Sequence, residues 1–147
     1  MGAALSRGAL GKDAAAAIIT LHRPQQLNAW TNRMAAEVRH AVAQAEADEA
    51  VVAIIITGAG MAFCAGGDVA RMADGEPTAL DHKNMLWEHV HRIPKTLEAM
   101  DKPVIAMVNG VAVGAGMGMA LMCDVRIASS AARFSTGYVK VGLVPGD

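Results

Sequence analysis

The chain has 147 residues, a formal net charge of −1, and a composition that is 53% hydrophobic and 18% charged. That is enough for one globular domain burying roughly two-thirds of its unfolded surface. No Lys/Arg cluster stands out and aromatic residues make up only 3% of the chain, so phosphate tracking and base stacking lack support and nucleic acid is excluded as a partner. Cys64 and Cys123, the only cysteines, lack metal-ligand spacing; they read as reduced packing residues of a cytoplasmic protein without a metal site.

Taken in order, residues 1–13 read as a disordered tail. The first six fit a loose myristoylation pattern that chance often meets, and no apolar run of signal length precedes Asp13. Residues 14–21 form a small and β-branched run closed by His22-Arg23-Pro24, which predicts a strand and an exit loop through Asn28. Thr31 is the expected N-cap of a helix reaching about Asp48, with Met34, Val38, Ala41, Val42 and Ala45 on one face. Residues 51–57 are too short and too β-branched for a helix and predict a second strand, followed by the loop Gly58-Ala59-Gly60.

After Asp68 a polar stretch through residues 74–77 reads as a mobile surface loop placed to cover a ligand. Residues 80–100 follow a helical pattern with Pro94 as a kink. His82, His89 and His91 fall on its solvated face, Trp30 and Trp87 read as packing residues, and the ten methionines fill the core. Residues 104–123 are uncharged over about the length of a membrane span. Asn109-Gly110 is a turn signal within that run, and glycines 114, 116 and 118 would each weaken a continuous helix by about 1 kcal/mol. The expected solution is a strand over 104–108, a short helix over 114–122 and a strand over 125–128, with no membrane partner. Strands alternating with helices, and no linker, predict a single α/β domain over 1–147.

Two glycine-rich patches, Phe63-Cys64-Ala65-Gly66-Gly67-Asp68 and Asn109-Gly110-Val111-Ala112-Val113-Gly114-Ala115-Gly116, each follow a predicted strand. Attack on a carbonyl, or proton removal beside it, builds negative charge on its oxygen. Two fixed backbone N–H groups from such segments would stabilise that charge, each worth on the order of 3 kcal/mol. Glycines beside the donors permit close approach, and a helix starting near Gly114 aims its positive end at the same oxygen.

These patches, with Pro103-Val104-Ile105-Ala106-Met107-Val108, Cys123-Asp124 and Gly142-Leu143-Val144-Pro145-Gly146, resemble the crotonase, or enoyl-CoA hydratase/isomerase, superfamily from about Ile18 onward. The resemblance implies an α/β spiral of repeated ββα turns, ending before a largely helical C-terminal region. It implies acyl-CoA thioester substrates, no cofactor beyond the CoA carried by the substrate, and a homo-oligomer, trimer or hexamer, in a full-length form. The N–H groups of Ala65 and Ala115 would build the oxyanion hole, with Gly66, Gly67, Asp68 and Gly114 around the bound thioester. The loop from His22 would lie near the CoA surface, making Arg23 a phosphate-contact candidate, while Asp68 holds its own loop. The resembling hydratases carry glutamates where Gly118 and Tyr138 stand, and neither glycine nor an ordinary tyrosine replaces a carboxylate base. Asp147 is then a candidate acid or base and Tyr138 a candidate hydrogen-bond donor. The rival reading is a non-catalytic acyl-CoA binder. A dinucleotide oxidoreductase fits poorly, because Gly114-Ala115-Gly116-Met117-Gly118 lacks the dinucleotide glycine spacing.

Overall fold

The chain's Val- and Ile-rich runs assemble into two sheets. In the computed structural model, which describes residues 2–11, 13–68, 78–142 and 144, the larger sheet has five strands. They are β1 (Ala3–Ala9), β2 (Ala15–Leu21), β3 (Val51–Gly58), β5 (Val104–Val108) and β7 (Val125–Ala128), side by side in that order. Only the β1–β2 pair is antiparallel; β2, β3, β5 and β7 run parallel, with Ile19 beside Ile56 and Ile56 beside Ala106. Three-residue strands β4 (Ala62–Cys64), β6 (Val111–Val113) and β8 (Arg133–Ser135) form a second, parallel sheet in that order. The chain thus leaves each of β3, β5 and β7 through a short turn into a strand of the second sheet, and helix α4 (Ala115–Met122) follows β6. This is the expected spiral of ββα turns.

Helix α1 (Asn32–Ala47) begins as predicted, the Thr31 Oγ1 accepting from the Met34 N–H at 3.1 Å. Its buried face, Met34, Ala35, Val38, Ala41, Val42 and Ala45, joins Ile19, Leu21, Ile54, Ile56 and Phe63 in the core. Each of the larger aliphatic side chains contributes about 1.5–3 kcal/mol by leaving water. At the far end, the Lys102 ammonium donates to the carbonyls of Ala45, Glu46 and Asp48 at 2.9, 2.6 and 2.8 Å. A cation on the last carbonyls also suits the helix dipole.

The expected tail is instead strand β1, paired with β2 from Ala3–Leu21 to Ala9–Ala15. Its Ala, Gly, Ser and Arg residues carry no apolar alternation, because an edge strand is held here by backbone bonds and by the Glu37 carboxylate. That carboxylate accepts from the N–H groups of Gly2 and Ala3 at 2.5 and 2.8 Å. The 80–100 pattern divides into α2 (Ala79–Met85), a π turn (Leu86–Val90) and α3 (Arg92–Glu98). Pro94 sits in the first turn of α3, where its missing N–H has no intrahelical acceptor to lose. Trp87 is 62% exposed rather than packed, with Lys95 Nζ 4.1 Å above its ring. The predicted covering loop, residues 69–77, lies outside the described residues. Among the described residues no helix is long and apolar enough to cross a membrane.

Candidate active site

The first glycine-rich arm is shaped by the turn that precedes it. Asn28 is fully buried with φ at 57°, a left-handed conformation that asparagine tolerates better than most residues. Its Nδ2 donates to the carbonyls of Ala59 and Ala62 at 2.9 and 2.8 Å, and its Oδ1 accepts from the Arg23 N–H at 2.8 Å. Asn109 reaches the same turn from beyond β5. Its Nδ2 donates to Gly60 and Ala62 carbonyls at 2.9 and 3.2 Å, and its Oδ1 accepts from the Gly58 N–H at 3.1 Å. Two side-chain amides therefore fix the β3–β4 turn and the direction in which the chain leaves Cys64. Neither role shows in the sequence, where Asn28 and Asn109 read only as loop and turn residues.

Beyond Cys64 the arm is zipped to the loop before α1. Ala65 N–H donates to the Leu27 carbonyl at 3.0 Å, Trp30 N–H to Gly66 at 2.7 Å, and Asp68 N–H back to Trp30 at 3.1 Å. Gly67 forms a bridge with Trp30. The Arg23 guanidinium closes the zipper, with 3.0 Å to the Asp68 carboxylate and 2.5 Å to the Ala29 carbonyl. Asp68 thus holds its loop, and Arg23 is held in turn.

The second arm follows β6. Gly114, with φ at 51°, donates its N–H to the Ser135 carbonyl at 3.0 Å and leads into α4. Ala115 is the first residue of that helix, where N–H groups have no intrahelical acceptor and the helix presents its partial positive charge. Tyr138 lies on the 3-10 turn Tyr138–Val141; a Cβ placed on Gly114 would sit 3.8 and 3.9 Å from its ring carbons, so the ring packs over this glycine. Gly118 lies one turn into α4, with no side chain to offer.

Glycine lets the two arms touch. β4 and β6 are paired, with Cys64 beside Ala112. Gly66 has φ at 96°, and a Cβ on it would meet the Val113 carbonyl oxygen at 2.8 Å; one on Gly116 would meet the Cys64 carbonyl oxygen at 2.1 Å. Such approaches exclude any side chain. Arg23, Ala65, Gly66, Gly67, Asp68, Gly114, Ala115 and Tyr138 therefore gather at one end of the short sheet, whereas Asp147 lies outside the described residues. Burial pushes the Cys64 thiol up to about 11 and the Cys123 thiol up to about 12, so both stay protonated at neutral pH and neither is a nucleophile. Among the described residues no group of three His, Cys, Asp or Glu side chains could hold a metal ion.

Fold and site together define an α/β spiral carrying two joined glycine arms. The chain belongs to the enoyl-CoA hydratase/isomerase family, whose model matches residues 11–147. It is 40% identical over 138 residues to the short-chain-enoyl-CoA hydratase of Clostridium acetobutylicum, covering 93% of this chain and 52% of that protein. Against the 1,2-epoxyphenylacetyl-CoA isomerase of Escherichia coli it is 38% identical over 128 residues, covering 86% and 49%. Among solved structures, enoyl-CoA hydratase subunit I from Geobacillus kaustophilus superposes with a TM-score of 0.80 at 38% identity, covering 96% of this chain and 52% of that one. The chain spans about half the length of these relatives.

Proposed function

We propose that this chain carries the thioester-polarising part of a cytoplasmic acyl-CoA enzyme of the hydratase or isomerase type, needing no cofactor beyond the CoA of its substrate. The observation behind this is the union of the two arms, which brings Ala65 and Ala115 out of adjacent parallel strands at a glycine-lined contact. A thioester oxygen between their N–H groups gains charge as an enolate forms, and each donor contributes on the order of 3 kcal/mol to that step. Ala65 N–H is engaged by the Leu27 carbonyl, so the substrate oxygen shares or displaces that acceptor.

Gly66, Gly67, Asp68 and Gly114 shape the thioester pocket in this proposal, and Arg23 sits at its edge as the phosphate contact. Tyr138, packed over Gly114, is the candidate donor to the developing charge, and Asp147 the candidate acid or base. The relatives named for hydration and for isomerisation support both reaction types. A homo-oligomer, trimer or hexamer, of the full-length protein belongs to the same proposal. A second reading, acyl-CoA binding without turnover, is favoured by Gly118 and Tyr138 standing where resembling hydratases carry glutamates.

Crotonyl-CoA added to the purified protein tests both, with enoyl absorbance and calorimetric binding followed on one sample. Turnover supports the enzyme, and its survival in Asp147→Asn would remove that residue's role. Binding without turnover selects the second reading, and absence of both points to a site that needs the rest of a full-length protein.

A further inference from the structure

A cleft of about 690 Å³ opens between α1 and α3 and shares no lining residue with the glycine arms. It exists because Ala36 on α1 and Ala99 just past α3 are too small to fill the space between the helices. Around them stand Arg39 and His40 from α1 and Arg92, Lys95 and Thr96 from α3. Residues 36, 39 and 40, and 92, 95, 96 and 99, are spaced to share one face of each helix. Every titratable group on the lining is basic, in a chain whose net charge is −1.

Among the described residues Arg39, Arg92 and Lys95 form no ion pair; the pairs present are Arg7–Asp48, Arg23–Asp68 and Arg33–Glu37. Lys95 is instead steered by the Trp87 ring, 4.1 Å from its ammonium. Like charges gathered along one groove raise the potential in the space between them, and because most of the lining is solvent-exposed that potential is screened by salt. Guanidinium groups on opposite walls suit phosphoryl oxygens in particular, since each offers a planar fork of donors. The open groove leaves room for more than a single phosphate. No Phe, Tyr or Trp lines it for base stacking, and the basic groups make a patch rather than a stripe, which argues against a nucleic-acid strand.

We infer that the α1–α3 cleft binds a small molecule through a diphosphate group, at a site separate from the glycine arms. The inference does not depend on the proposed thioester chemistry. Calorimetric titration of the protein with inorganic pyrophosphate and with ADP, and with adenosine as the uncharged control, tests it. Saturable 1:1 binding of both anions, weakening with salt, is expected, and none of adenosine. Equal affinities make the diphosphate the whole recognised group; tighter ADP adds a nucleoside contact to the same site. Arg39→Gln and Arg92→Gln should each weaken binding about tenfold, whereas Lys83→Gln, which removes an exposed charge on α2, should change it less than about twofold. On the unsubstituted protein, pyrophosphate should shift the amide resonances of Thr96 and Ala99, a readout that stands even if a variant misfolds. No saturable binding, equal weakening by Lys83→Gln, or shifts confined to residues 114–116 would each overturn the site.

Discussion

The two arms that meet at the candidate site are held by different means. The Ala65 arm is gripped by side chains from elsewhere: Asn28 and Asn109 on its preceding turn and Arg23 on Asp68. Its N–H is engaged as well, by Leu27. The Ala115 arm relies on backbone alone, through Gly114 bonded to Ser135 and the start of α4, and its donor has no acceptor within the helix. A site built this way has one half that is rigid and satisfied and another that is open and electropositive. Substrate binding would then perturb the first arm and fill the second.

Removing the donors should separate the two arms most sharply. Proline is well suited to the first position of a helix, so Ala115→Pro deletes one N–H while α4 survives. We expect turnover to fall on the order of 100-fold, with an unchanged melting temperature. Ala65→Pro should lose comparable turnover and also about 1 kcal/mol of stability, because its N–H serves Leu27 in the resting state. Steady-state kinetics beside urea unfolding checks both. Equal stability losses would erase the contrast, and full activity in Ala115→Pro would remove that residue from the hole.

The turn beneath the first arm offers the next largest effect. Asn28→Ala leaves the Ala59 carbonyl and the Arg23 N–H without their partner and places alanine at φ 57°. We expect a loss of about 3 kcal/mol. Asn109→Ala should cost less, about 2 kcal/mol, because the Ala62 carbonyl keeps Asn28 as a donor. Chemical denaturation orders the two, and a reversal would mean that the turn hangs on Asn109 instead.

This dependence on asparagines explains what the sequence could disclose. Helix α1 and strands β2, β3, β5 and β7 were legible because apolar periodicity and caps act over neighbouring residues. Strands β4, β6 and β8 have three residues each, too few to show any period, so the second sheet was invisible although it joins the arms. The arms themselves were legible, since glycines after a β-branched run are unusual enough to notice. The Asn28 amide was not, because its acceptors lie 31 and 34 residues away. The engagement of Ala65 by Leu27 was hidden for the same reason: a carbonyl carries no sequence signature.

Glu37 gives the smallest effect and serves as a control on the contrast, being a side-chain clamp that grips β1 rather than either arm. Its hydrogen bond from Arg33 and those from the N–H groups of Gly2 and, less strongly, Ala3 hold its carboxyl down to about 2, against the opposing effect of burial. A carboxylate depressed in the folded state adds stability above its unfolded value of 4.5, and that stability is lost as pH falls from about 4.5 toward 2. The group is close to solvent, so the contribution should stay under about 1 kcal/mol. Thermal melts of Glu37→Gln and the parent should therefore differ near pH 6, converge near pH 2, and leave turnover at neutral pH unaltered. If the two curves stayed parallel through that window, the clamp would not be electrostatic. If turnover fell with the β1 clamp, the side-chain grip on this half of the molecule would extend to the Ala65 arm itself, and the separation between a rigid arm and an open one would have to include β1.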